Sequence, residues 1–208
     1  MKIILGSQSE NRRSVLVEAG YTFDILVPGI DEKTIRHENL YEIPVRLAKA
    51  KAEALLPRIK EPALLITADQ VIVWNGELRE KPADLAEARR FLETFSGSEY
   101  PAECVNGIMV TNTATGKSIL EREISKVFFS KIPQEIIEEF LAQGTMYKYA
   151  GGFTPQSPLL LPYLRIEGTF ASVLGLPMDI VERCMQELTA SLSSPFPKGS
   201  TREGEGFF

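Results

Sequence analysis

The chain has 208 residues, 44% hydrophobic and 25% charged, an ordinary globular composition with enough apolar matter for a full core. A formal net charge of -5 argues against a broad basic face for a nucleic-acid polymer. The only cysteines, Cys104 and Cys184, provide no disulfide framework or thiolate metal site, and a lone His37 in a polar stretch argues against a multi-histidine zinc site or a Ser-His-Asp relay.

In chain order, Lys2 to Leu5 reads as a short strand ended by Gly6, and Val15, Leu16 and Ala19 follow at helical spacing. Tyr21 to Val27 alternates as a second strand closed by Pro28-Gly29. Asn39 or Glu42 opens a helix with Pro44 in its first turn, and Leu47, Ala48, Ala52 and Leu55 continue it to Pro57. Ala63 to Trp74 is a long apolar strand, and Asn75-Gly76 is a hairpin turn into another. Asp84 caps a helix whose Leu85, Ala88, Leu92 and Phe95 form one stripe. Strands follow over about Tyr100 to Thr111 and Ser118 to Phe129, joined by a polar turn at Asn112 to Gly116. Ile136, Ile137, Phe140 and Leu141 mark a further helix. Strand character recurs at Tyr163 to Ile166 and Thr169 to Leu174, and Ile180, Val181, Cys184 and Leu188 mark a last helix entered through Pro177.

This order predicts an α/β domain, with α+β as the alternative, over residues 1–190: one domain of two lobes around a mixed sheet with a cleft beside it. Residues 191–208 carry Ser, Pro, Gly and alternating charge and are expected to be a disordered tail. The apolar run after Lys2 is too short for a signal peptide and no stretch reaches the length of a membrane span. The chain is therefore expected to be a full-length cytoplasmic protein with no membrane contact.

Gly6 to Arg13 joins a strand to a helix N-terminus, where free backbone N–H groups and the helix dipole favour an anion. Ser7 and Ser9 add hydroxyls, and Arg12 or Arg13 adds a fork that matches phosphate oxygens. The alternative makes Ser9 an N-cap with both arginines solvated. Asp69 places an acid inside an apolar strand, which costs several kcal/mol unless the carboxylate meets a cation, a metal or donors. Pro82 restricts Lys81 to an extended conformation that can aim its ammonium into a cleft, and Lys51 is a second candidate cation. Asp31-Glu32 offers carboxylates that could hold a hard divalent ion together with Asp69. No Gly-x-x-x-x-Gly-Lys-Ser/Thr occurs, which sets a P-loop protein aside.

Taken in order, Ser7-Gln8-Ser9 with Arg12, Asp31-Glu32, Leu47 to Ala52, Thr67-Ala68-Asp69-Gln70-Val71, Glu80-Lys81-Pro82, Ser96-Gly97, Ala150-Gly151-Gly152 and Gly175-Leu176-Pro177 resemble the Maf family, from about Ile3 to Leu188. The resemblance implies a nucleoside triphosphate pyrophosphatase, plausibly a house-cleaning enzyme, of two-lobed α/β architecture, with a divalent metal cofactor (Mg²⁺ or Mn²⁺) and often a homodimer. It sets Ser7, Arg12, Lys51 and Lys81 on phosphate-handling positions and Asp69 on the proton-acceptor position. Glu10-Asn11-Arg12 stands where many members carry Pro-Arg-Arg, so one usual arginine is missing unless Arg13 compensates. Asn11 and Gln70 resemble the branch acting on 7-methyl-GTP, whereas Gln156 resembles the dTTP/UTP branch. A non-catalytic nucleotide-binding regulator of cell division is the competing reading. It predicts decay of the catalytic set, which this chain retains.

Overall fold

The computed structural model describes residues 1–190; the expected tail lies outside the described residues. Strands β1 (Lys2–Leu5), β2 (Asp24–Ile25), β3 (Ala63–Trp74), β4 (Glu77–Arg79), β5 (Ala102–Asn112), β6 (Ser118–Phe129) and β7 (Leu164–Glu167) form one seven-stranded mixed sheet. Its order is β2-β1-β3-β5-β6-β7, with β4 also on β3. β1 runs parallel to β2 and β3, whereas the later pairings are antiparallel. Asn75 (φ 47°) and Gly76 (φ 77°) both take the left-handed conformation that a two-residue hairpin between β3 and β4 requires.

Helix α2 (Ile43–Leu55) covers one face of the sheet, burying Leu47, Ala48, Ala52 and Leu55 against β3 and β5. The other face carries two apolar clusters. One gathers Leu64, Ile66, Ala68, Ile108 and Val110 with helices α1 (Glu10–Glu18) and α6 (Met178–Ala190). The second gathers Ile72, Cys104, Val127 and Phe129 with α3 (Leu85–Phe95) and α4 (Gln134–Ala142). Between them the register aligns Gln70, Asn106 and Glu123 side by side, a polar row across β3, β5 and β6. Short helix α5 (Phe170–Val173) lies on this row.

Three sequence expectations are corrected. The strand expected over Tyr21 to Val27 is only Asp24–Ile25: it pairs with Ile4 and Leu5 alone, and beyond Leu5 β1 has ended. Thr169 to Leu174 is not a strand: the Thr169 hydroxyl accepts from the Ser172 N–H and opens α5. Leu85, the first residue of α3, is exposed, and Phe91 completes the buried stripe with Ala88, Leu92 and Phe95.

Candidate active site

On its β1 side, β3 is paired with β1 through Ile66 and with β4 from Ile72 onward, so the edge from Thr67 to Val71 has no neighbouring strand. The β1–α1 loop emerges beside this gap, with the Gly6 N–H donating to the Ile66 carbonyl. Ser9 caps α1, its hydroxyl accepting from the Arg12 N–H, and the Ser7 hydroxyl accepts from the Ser9 N–H. The helix start and its unpaired N–H groups thus sit next to the open edge, the arrangement that attracts anions.

Within the gap, alternation along β3 sends Thr67 and Asp69 toward α2 and Gln70 toward α5. Asp69 is buried and Lys51, from α2, is buried with it. The Lys51 Nζ lies 2.5 Å from Asp69 Oδ1 and 2.8 Å from Oε1 of Glu32, whose 3₁₀ turn faces it across the gap. Thr67 donates to the Ala48 carbonyl at 2.8 Å and ties α2 to the same stretch of strand.

Arg12 is buried, with Nε donating to the Gly175 carbonyl at 2.9 Å and Nη1 to the Ser7 hydroxyl at 3.2 Å. Its Nη2 has no hydrogen-bond partner among the described residues. Burial lowers the guanidinium below its ordinary value, and the charges of Asp69 and Glu32 oppose that shift. A desolvated guanidinium gains much from an arriving anion, because water no longer competes for its donors.

The other expected residues differ in exposure. Arg13, one helical step from Arg12, is exposed with no ion pair among the described residues, and so is Lys81. The loop bearing Lys81 is held on both sides: Arg36 pairs with Glu80 at 3.1 Å, and the Gly151 N–H donates to the Glu80 carbonyl at 2.9 Å. Asn11 is half-buried in the first turn of α1. Gln156 is exposed in the loop after Gly152, its N–H bonded to the Thr154 hydroxyl. The Gln70 amide is engaged, Nε2 donating to the carbonyls of Ser172 and Val173 at 3.0 and 3.1 Å.

Sequence reading missed the polar row beneath α5. Asn106 interrupts an apolar strand as Asp69 does, and the same desolvation argument applied to it would have singled it out.

For a metal, the donor set is two hard carboxylates, Asp69 and Glu32, which both contact the Lys51 ammonium and each keep a second oxygen for a cation beside it. Among the described residues no group of three or more His, Cys, Asp or Glu could hold an ion. Two carboxylates suit a magnesium-like ion that takes its remaining ligands from water and phosphate oxygens. Among the described residues no helix is long and apolar enough to cross a membrane.

Comparison with known proteins places the chain in a family. The family described as Maf-like protein matches residues 2–188. A 7-methyl-GTP pyrophosphatase of Dictyostelium discoideum is 36% identical, covering 90% of this chain and 97% of that protein. A dTTP/UTP pyrophosphatase of Vibrio vulnificus (strain YJ016) is 31% identical over 89% of this chain and 98% of its own. A nucleoside triphosphate pyrophosphatase of Synechococcus sp. (strain JA-2-3B'a(2-13)) is 34% identical over 92% and 96%. Every strand and helix described above begins within the matched residues, and the chain belongs to the Maf-like protein family.

Proposed function

We propose that this protein is a nucleoside triphosphate pyrophosphatase that hydrolyses its substrate to the monophosphate and pyrophosphate. The observation that carries the reading is the buried Lys51–Asp69 pair in the open edge of β3, beside the desolvated Arg12 and the start of α1. An acid there is available to a water, and the cations beside it are available to phosphate. The names of the relatives above support the same class of reaction.

In this reading the triphosphate lies along the start of α1, with Ser7, Ser9, Arg12 and Arg13 on its oxygens and Lys81 reaching in from its loop. Water attacks the α-phosphorus, its proton passes to the Asp69 carboxylate, and the bond from the α-phosphorus to the α–β bridging oxygen breaks to release pyrophosphate. Lys51, 2.5 Å from Asp69, holds the carboxylate in position and, with Arg12, offsets the negative charge that develops on the phosphoryl oxygens. Asp69 and Glu32 would hold a divalent cation, Mg²⁺ or Mn²⁺, which supplies charge neutralisation on the phosphates when bound.

The base preference we assign is the 7-methyl-GTP type, on Asn11 in the first turn of α1 and Gln70 after Asp69; Gln156 is the feature that speaks for dTTP/UTP. A site built to hydrogen-bond one base edge discriminates strongly, so the preference has a sharp readout.

The test is pyrophosphate release from 7-methyl-GTP, dTTP, UTP and CTP with Mg²⁺ or Mn²⁺, with chelator and Asp69→Asn as controls. Release that needs both metal and Asp69, fastest on 7-methyl-GTP, is expected. Fastest release on dTTP or UTP would overturn the base assignment alone. Nucleotide binding with no release under either metal would make the protein a non-catalytic nucleotide binder.

A further inference from the structure

We infer that Glu123 and Ser172 are positioning residues for Arg12, acting through the carbonyl of Gly175. The inference rests on the reading of Arg12 as a phosphate-handling cation.

Arg12 takes its orientation from two acceptors, the Ser7 hydroxyl and the Gly175 carbonyl. Gly175 is a constrained residue: its φ is +92°, and a Cβ there would stand 3.3 Å from Arg12 Nε and 3.6 Å from Gln70 Cδ. The backbone at this point is pressed against the guanidinium, so whatever holds the segment also holds Arg12.

Val173, Leu174 and Leu176 anchor it in the two apolar clusters, and the polar row fixes it between them. The Ser172 carbonyl accepts from the Gly175 N–H at 2.9 Å and from the amides of Gln70 and Asn106, each at 3.0 Å. The Ser172 hydroxyl is buried and donates to Glu123 Oε2. Glu123 accepts twice more, from Asn106 Nδ2 at 2.8 Å and from the Ser125 hydroxyl at 2.7 Å. Three donors on three neighbouring positions therefore point at one carboxylate, which as an anion only accepts. Asn106 Oδ1 is buried with no partner, which fits an amide committed to donating toward Glu123 and Ser172.

This row lies between the two apolar clusters, and the segment above it also places Val173 in one cluster and Leu174 and Leu176 in the other. The row reaches Arg12 from Glu123 through Ser172 and Gly175, and it meets the gap a second time at Gln70, which donates to the same Ser172 carbonyl.

Glu123→Gln tests this directly: it keeps the shape but sets an amide donor among donors. In the full chain it is expected to lower kcat/KM about tenfold in the Arg12 background and less than about twofold in an Arg12→Lys background, where the fork that Gly175 orients is already lost. Ser172→Ala is the second variant and should do the same. A readout independent of turnover is the Arg12 Nε–H resonance in ¹⁵N-labelled protein. It should shift or broaden in both variants while thermal unfolding stays within about 5 °C of wild type.

Equal losses in both Arg12 backgrounds, or an unchanged Arg12 Nε–H resonance, would overturn the inference. If the wild type releases no pyrophosphate from any nucleotide, the proposed function fails while the resonance still decides the positioning.

Discussion

Gly107 stands opposite Asp69 in the β3–β5 ladder, and a Cβ on Gly107 would fall 2.2 Å from the carbonyl oxygen of Pro44. The first turn of α2 rests on bare backbone at this point. The same helix carries Lys51 to 2.5 Å from Asp69, so a missing side chain on β5 sets how closely α2 brings its cation to β3.

Gly107→Ala should lift α2 and separate Lys51 from Asp69. Overpacking is expected to cost about 1–3 kcal/mol in urea unfolding. Pyrophosphate release should fall much further, about a hundredfold, measured where both proteins are fully folded, because a small displacement of a catalytic group is costly. An unchanged rate would remove the spacing of α2 from the explanation of activity.

Asp69→Asn keeps the shape of the pair and should leave the protein folded while kcat drops about 10²–10⁴-fold. Lys51→Met is a different lesion. It leaves Asp69 buried without its ammonium and is expected to cost about 3–5 kcal/mol, the range for breaking a buried pair. Adding Asp69→Leu to Lys51→Met should recover most of that stability and none of the activity. Denaturant midpoints and pyrophosphate release on the three proteins separate the two roles.

Both cysteines are buried, and burial pushes the thiols of Cys104 and Cys184 up from their ordinary value. Since the thiolate is the reactive form, the native protein should resist a thiol reagent such as DTNB near pH 8 and release two equivalents only after unfolding. Rapid labelling of a native thiol would show that its cluster opens readily.

Arg79 is fully buried over Trp74, Phe91 and Phe95, its carbon 4.0, 4.8 and 4.6 Å from their ring centroids, and it shares Glu77 with Arg90. Burial raises the Glu77 carboxyl, but the hydrogen bonds and charges of Arg90 and Arg79 outweigh it and hold the group below its ordinary 4.5. A depressed acid stabilises the fold above its unfolded-state value, and that contribution is lost as pH falls through the lower folded-state value. Wild type should therefore exceed Glu77→Gln in stability at neutral pH, with the gap closing under acid. The gap should be small because the Glu77 side chain is 38% exposed. A gap that persists unchanged through the acid range would assign it to shape rather than charge.

The elements were legible wherever a strong local period met its stop signal. β3 ends at Asn75-Gly76 as expected, and Asp84 caps α3, because turn and cap chemistry are decided within a few residues. Tyr21 to Val27 had the alternation of a strand but pairs with only two residues of β1, and Thr169 to Leu174 had strand character but a hydroxyl placed to start a helix. Propensity is a weak prior that such contacts override.

The site was legible in part for the same reason. Asp69 was conspicuous because a carboxylate in an apolar strand needs a partner, yet the sequence did not say whether Lys51, Lys81 or a metal would supply it. Burial answers with Lys51 and leaves Lys81 exposed. Arg12 and Arg13 were interchangeable on paper, and the turn of α1 sends one inward and the other to solvent.

By itself, the sequence determined the periods, caps and turns, the acid that could not be left unpaired, and the family resemblance. The tertiary structure alone decided the gap between β1 and β4, the row beneath α5, and the carbonyl that orients Arg12, from 163 residues away. The physical reason is range: periodicity and capping act over one or two turns of chain, whereas a buried charge is settled by whichever distant donor or acceptor the packed sheet brings to it.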